Sequence, residues 1–114
     1  MHDLTIATVH TALRGITQRQ RVIADNIANV ETPGFTARRV SFEESLRAAV
    51  RVGAPGQSDV AVAPSASPRN TNDNNVQLDD ETMALTDAGL HYQLMVEAMN
   101  AKFGLLRTSI GRGF

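Results

Sequence analysis

Apolar residues recur every three or four positions along the first thirty residues of the chain. This spacing is the a/d pattern of a heptad repeat, in which one face of an α-helix packs against a partner helix. A single polar residue, Gln20, interrupts the repeat. The pattern predicts a helix over residues 3–30, roughly 40 Å long, whose apolar stripe consists of Ile6, Val9, Leu13, Ile16, Ile23 and Ile27.

The last third of the chain carries a second stripe with nearly the same spacing. Asp79 is a residue type that favours the N-cap position, and Asp80 and Glu81 add negative charge where the helix dipole is positive. Gly111 and Gly113 favour an end to the helix. We therefore predict a helix over 78–110 and a tail over 111–114. The stripe of this helix consists of Leu85, Tyr92, Met95, Met99, Phe103, Leu106 and Ile110.

The region after the first helix, residues 31–51, is predicted to hold a turn and a short helix. Pro33 and Gly34 suit the two central positions of a type II turn, because glycine accepts the positive φ of the second position. Ser41 is followed three residues later by Glu44, which is the spacing of a capping box at the start of a helix.

Residues 52–77 are predicted to form an irregular linker. They are rich in Gly, Pro, Ser, Ala and Asn and contain few large apolar residues. Val60 and Val62 alternate as in a strand, but the run is too short to predict one firmly. A structureless segment of this length favours a mobile region or one that is ordered only by its neighbours.

The predicted fold class is all-α. The two terminal helices are expected to pair as an antiparallel coiled-coil hairpin, joined by a short middle helix and an irregular or partly β central segment, in one domain over 1–114. A two-helix hairpin has little interior of its own. We therefore expect both stripes, together called the assembly seam, to contact other chains as well as each other.

The amino-acid composition argues against several classes of function. The chain has 114 residues, no cysteine and a net charge of −1, so nothing indicates a disulfide, a thiolate metal site or binding to nucleic acid. Its three histidines, His2, His10 and His91, lack the spacing of metal ligands. We predict no catalytic, cofactor-binding or metal site, and no small-molecule substrate.

Charge is uneven along the chain. Residues 14–51 contain seven Arg and four acids, whereas residues 73–97 contain six acids and no Lys or Arg. Two solvated faces would explain this distribution, and so would complementary surfaces between subunits.

No secretory signal is visible in residues 1–20, which lack an unbroken apolar core. No run approaches the roughly 18 apolar residues that a membrane helix requires. The sequence alone therefore predicts a soluble protein, and any export would have to proceed without cleavage of a signal peptide.

Two groups of residues resemble the axial proteins of the bacterial flagellum, which form its rod and hook. The first group is a signature around the predicted turn: Asn26, Ile27, Ala28, Asn29, Thr32, Pro33, Gly34 and Phe35. The second surrounds and follows the start of the last helix: Asn74, Asn75, Val76, Leu78, Asp79, Tyr92, Gln93, Lys102, Phe103, Leu105, Leu106, Arg107 and Ile110. Together they are similar to the proximal-rod subunits of type B.

This resemblance implies a structural component of the proximal rod in the flagellar basal body, needed for flagellum assembly and motility. It implies export from the cytoplasm through the flagellar type III apparatus without signal cleavage. Polymerisation through the terminal helices around the axial channel, and transmission of motor torque, would follow. The implied partners are other copies, other rod proteins, the membrane-supramembrane ring protein and the rod-base adaptor protein. The alternative is a stand-alone cytosolic helical adaptor, which would fold by itself.

Overall fold

The computed structural model describes residues 4–113, with side chains through Gly111. Its elements are α1 (Leu4–Ala28), β1 (Arg38–Ser41), α2 (Glu43–Arg51), a single 3₁₀ turn (Pro55–Gln57), β2 (Ala61–Pro64) and α3 (Leu78–Gly113). Most of the described residues are helical, and the prediction of two long terminal helices is confirmed.

The two terminal helices pack side by side in opposite directions. Asn26, near the end of α1, contacts Glu81 in the first turns of α3. Both helices rise by about 1.5 Å per residue. Leu4 and Phe103 are equally many residues from the contact between Asn26 and Glu81, so they lie at the same level of the helix pair. Residues 104–113 therefore extend beyond the described start of α1. The molecule is accordingly elongated, with principal extents of 67 × 25 × 14 Å.

A small antiparallel sheet is present, which the prediction of a partly β central segment covers in part: β2 lies in that segment, whereas β1 lies before α2. β1 pairs with β2 so that Arg38 lies opposite Pro64 and Ser41 lies opposite Ala61. Each strand has four residues, too few to give a clear period-two pattern in the sequence. The predicted linker over 52–77 thus contains a 3₁₀ turn and a strand, and its last residues hydrogen-bond to the segment between α1 and β1.

The predicted capping box is wrong. Ser41 ends β1, the residue before α2 is Phe42, and no side chain caps that helix. The Phe42 backbone N–H instead donates to the Glu43 carboxylate at 3.2 Å. Pairing of β1 with β2 fixes the backbone of Ser41 as a strand, so its hydroxyl does not take the cap position.

Other boundaries differ by a few residues. α1 spans Leu4–Ala28 where residues 3–30 were predicted, and residue 3 lies outside the described part of the chain. α3 begins at Leu78, which places Asp79 inside the helix rather than at its cap, and continues to Gly113 instead of ending at 110. Phe114, the end of the predicted tail, lies outside the described residues.

A small core lies where α1, β1, α2 and α3 meet. The core is formed by α1, by β1 and α2, which follow it, and by one residue of α3. Its buried residues are Ala12, Ile16, Val22, Val40, Phe42, Leu46 and Ala88. Val50 and Met95 pack against its edge. The core occupies only the middle of the molecule, which leaves the end of α3 with little support.

Candidate functional site: the helix junction and the assembly faces

The signature segment, residues 26–35, ends α1 and reverses the chain in a tight turn. The Phe35 N–H donates to the Thr32 carbonyl at 3.2 Å, and Gly34 has φ +74°. A four-residue turn with positive φ at its third position is of type II when Pro33 occupies the second. This geometry agrees with the predicted turn. The Gly34 N–H, in addition, donates to the carbonyl of Asn72, which ties the turn to the segment before α3.

Asn26, the first signature residue, joins α1 to β1 and α3. Its amide Nδ2 donates to the Arg38 carbonyl at 2.9 Å, and its Oδ1 accepts from the Arg38 N–H at 3.0 Å. The same Nδ2 lies 3.2 Å from both carboxylate oxygens of Glu81. Asn26 and Glu81 are both 0% exposed. The amide thus continues the hydrogen bonding of β1, and it also contacts a buried carboxylate.

Glu81 has a second partner on β1. The Arg39 guanidinium Nη1 lies 2.5 Å from its Oε1 and also donates to the Arg38 carbonyl. Removing the partner of a buried carboxylate strongly destabilises a fold. The ion pair therefore constrains how α3 packs against β1. From the sequence, Glu81 was predicted only to interact with the helix dipole, and its contact with Arg39 was not predicted. The pairing connects residues 42 positions apart, and no local pattern reports it.

Two consecutive asparagines before α3 complete the junction. Asn74 donates to the carbonyls of Asn29 and Thr32, both at 2.8 Å, and accepts from the Val76 N–H at 2.7 Å. Asn75 accepts from the Ala37 N–H at 2.6 Å. Both asparagines are buried. Side-chain amides can donate and accept at once, which lets them satisfy backbone groups that have left regular structure.

The signature segment therefore contacts the first residues of the second resembling group. The signature segment and the Asn74–Asn75 pair form one hydrogen-bonded junction that sets the relative positions of α1 and α3. Every buried side-chain nitrogen and oxygen in the described part of the chain has a partner. These hydrogen bonds hold the helix pair together within the folded chain.

A glycine in the middle of α1 packs against an aromatic ring. A Cβ placed on Gly15 would lie 2.6–2.7 Å from three ring carbons of Phe42, so only glycine leaves room for the ring. The Arg19 guanidinium carbon also lies near this ring, 4.9 Å from its centroid, which is a cation–π distance. Gly15 was not singled out in the sequence, because a glycine within a helical pattern gives no sign of what packs on it.

Arg19 fixes α1 to the start of α2. Its two terminal nitrogens bind the two carboxylate oxygens of Glu43 at 2.6 and 2.7 Å, and one of them also donates to the Val40 carbonyl at 2.8 Å. This bidentate hydrogen bonding lowers the pKa of Glu43 to about 2. Glu43 thus remains charged at neutral pH and holds Arg19 over Phe42.

The α1 half of the assembly seam faces the interior of the molecule. Val9, Ile16 and Ile23 are buried, and Ile6, Leu13 and Ile27 are half-buried, as is the polar residue Gln20. The α3 half differs. Met95, Met99 and Leu106 are half-buried, whereas Leu85, Tyr92, Phe103 and Ile110 are exposed. The chain alone therefore leaves part of the predicted seam uncovered.

Residues 4–113 contain no cluster of three or more His, Asp or Glu side chains that could hold a metal ion. Within the same range, no helix combines the length and the apolar character needed to span a membrane.

Comparison with known proteins gives a consistent result. Residues 10–36, which contain the signature segment, match the family model "Flagella basal body rod protein". The chain is 33% identical to the flagellar basal body rod protein FlgB of Bacillus subtilis strain 168, over 96% of this chain and 95% of the relative. It is 26% identical to FlgB of Escherichia coli K12 over 88% of each chain. It is 33% identical to FlgB of Borreliella burgdorferi over 75% of this chain and 80% of the relative.

The paired terminal helices, the junction that joins them and the matched signature define a structural protein of the flagellar basal body rod, not an enzyme. Within this class, the similarity to the Bacillus subtilis protein extends over nearly the whole chain. The chain belongs to the FlgB family of flagellar basal body rod proteins.

Proposed function

We propose that this chain is a proximal-rod subunit that polymerises through the exposed part of its assembly seam, around the axial export channel, and transmits motor torque. Its surface area supports this proposal. The chain exposes 7520 Å², whereas a compact monomer of 12.3 kDa exposes about 6,100 Å² on the usual scaling with mass. The excess is comparable to the surface that a protein buries in a specific interface.

The position of the exposed seam residues carries the proposal. Leu85, Tyr92, Phe103 and Ile110 are separated by seven, eleven and seven residues, which places them along one line of α3. Phe103 and Ile110 lie at or beyond the level where the described part of α1 starts. A neighbouring helix would cover this line and extend the helix pair into a layer of coiled coils.

Partners and location follow from the family. A basal body rod protein assembles with other rod proteins, and we place this subunit in the part of the rod that spans the periplasm. There it would contact other copies, the membrane-supramembrane ring protein and the rod-base adaptor protein. Export would proceed through the flagellar type III apparatus without a cleaved signal peptide. The absence of cysteine supports this route, because folding after export then requires no disulfide.

Replacement of Phe103 by Asp tests the proposed seam. The side chain is 44% exposed, so the free subunit should keep its stability, while a charge in the subunit contact should prevent rod formation. Gln93→Asp is the matched control, since Gln93 is exposed on a different side of α3. Motility in a strain that lacks the native gene, and the chain content of purified basal bodies, are the readouts. Normal swimming of the Phe103→Asp strain would refute assembly through this face.

A further inference from the structure

An open apolar cleft lies between α1, α2 and α3. Its volume is about 500 Å³, and its apolar lining includes Ile16, Phe42, Leu46, Val50 and Met95. All buried side-chain polar atoms among the described residues already have partners, so the cleft floor offers no spare buried group to orient a small polar ligand. A cleft of this kind, bordered by a two-turn helix, suits the apolar face of another helix.

Basic side chains border this cleft. Arg47 and Arg51 project from α2, and both are among its lining residues. Arg47 pairs with Glu44 at 2.6 Å on the exposed side of the helix. Arg51 makes no ion pair with any side chain described in residues 4–111. An apolar helix face that also carries acidic side chains would therefore complement the cleft.

The first half of α3 has such a face, directed away from the chain. Met83, Leu90 and Leu94 are 67%, 55% and 56% exposed. With Asp87 they occupy positions i, i+4, i+7 and i+11 of the helix, which define one face, here called the outer stripe. Ala88, which packs in the core, lies on the other side of the helix. Asp87 has no ion pair among the described side chains.

We infer that the outer stripe of a second copy of this chain occupies the cleft, with Asp87 of that copy against Arg51. The inference rests on the proposed function and adds a second contact between copies, separate from the exposed part of the assembly seam. The lengths agree: the stripe from Met83 to Leu94 spans about 16 Å and α2 is about 14 Å long. Cleft and stripe share no residue, so one subunit can offer its cleft to one neighbour and its stripe to another, which adds subunits along a ring or helix.

Disulfide trapping tests the inference directly, because the chain contains no cysteine of its own. We would introduce Val50→Cys in the cleft and Leu90→Cys on the outer stripe of one chain, and oxidise purified basal bodies that contain it. A ladder of disulfide-linked multimers of this chain is the expected result. Each single variant, and Val50→Cys combined with Gln93→Cys, should give no ladder, since Gln93 lies off the stripe.

A charge exchange gives an independent readout. Arg51→Glu and Asp87→Arg alone should each lower the amount of chain in basal bodies by roughly tenfold, because each places like charges together. The combined variant should restore it. Neither residue has an ion pair within the described side chains, so neither change breaks one inside the subunit.

The outcomes separate this contact from the proposed function. Basal bodies with normal amounts of the chain but no ladder would overturn the contact and leave the proposed function standing. A cross-link from position 50 to a different protein would also overturn it, since another partner would fill the cleft. Absence of the native chain from basal bodies would refute the proposed function, and this inference with it.

Discussion

Two identical substitutions should have opposite effects on stability, because the two glycines differ only in what lies beside them. Gly15 and Gly89 both lie inside long helices, where glycine is about 1 kcal/mol less favourable than alanine. A Cβ at Gly89 meets nothing within 4 Å. Gly89→Ala should therefore raise the free energy of unfolding by up to about 1 kcal/mol.

At Gly15 the same methyl group would lie 2.6–2.7 Å from the Phe42 ring, about 1 Å closer than ordinary contact. The ring is part of the buried core and the Arg19 guanidinium also packs against it, so displacing the ring would disturb both contacts. Overpacking costs about 1–3 kcal/mol, and the displaced cation–π contact adds about 0.5–1 kcal/mol. After the gain in helix propensity, we expect Gly15→Ala to lower the free energy of unfolding by about 0.5–3 kcal/mol.

Urea unfolding of the purified chain, followed by circular dichroism, measures both changes, with the slope of the transition as a check that the unfolded state is the same. In a Phe42→Ala background the clash is absent, and Gly15→Ala should then become stabilising. If Gly15→Ala is as stable as Gly89→Ala in the native background, the Phe42 ring is not held against α1, and the core described above is wrong.

Three further predictions concern the charged contact, the junction and the end of α3. Because Arg19 lowers the pKa of Glu43, this carboxylate stabilises the fold above its ordinary pKa of 4.5, and the contribution disappears as pH falls toward 2. Glu43→Gln should thus flatten acid unfolding in that window, and an unchanged pH profile would contradict the assignment. Asn74→Ala should destabilise the chain by about 1–3 kcal/mol, because it removes the partner of the buried Val76 N–H and of two part-buried carbonyls; the exposed control Asn100→Ala should change stability by less than about 0.5 kcal/mol in the same urea titration. In hydrogen exchange of the isolated subunit, amides of 104–113 should exchange much faster than those in the middle of α3, since α1 does not cover them; uniform protection along α3 would refute this.

Local sequence was sufficient for the features that depend on neighbouring residues. The heptad spacing of Val9, Ile16 and Ile23 predicted a long helix with a buried face, because helical periodicity is a property of consecutive positions. Pro33 and Gly34 predicted the turn that follows it, because their backbone preferences are their own. The signature residues resemble those of rod and hook proteins by their identity and order alone, without reference to any tertiary contact.

Only the tertiary structure determined how these segments pair and which of their side chains become buried. Ser41 carried a helix-start signal, yet pairing with Ala61 made it a strand residue, since sheet hydrogen bonds between distant segments override a weak local preference. Glu81 looked like a charge at a helix terminus and is instead a buried partner of Asn26 and Arg39. Such contacts join positions tens of residues apart. They exist only because the chain reverses at Gly34 and brings α1 and α3 together, and no spacing along the sequence encodes that distance.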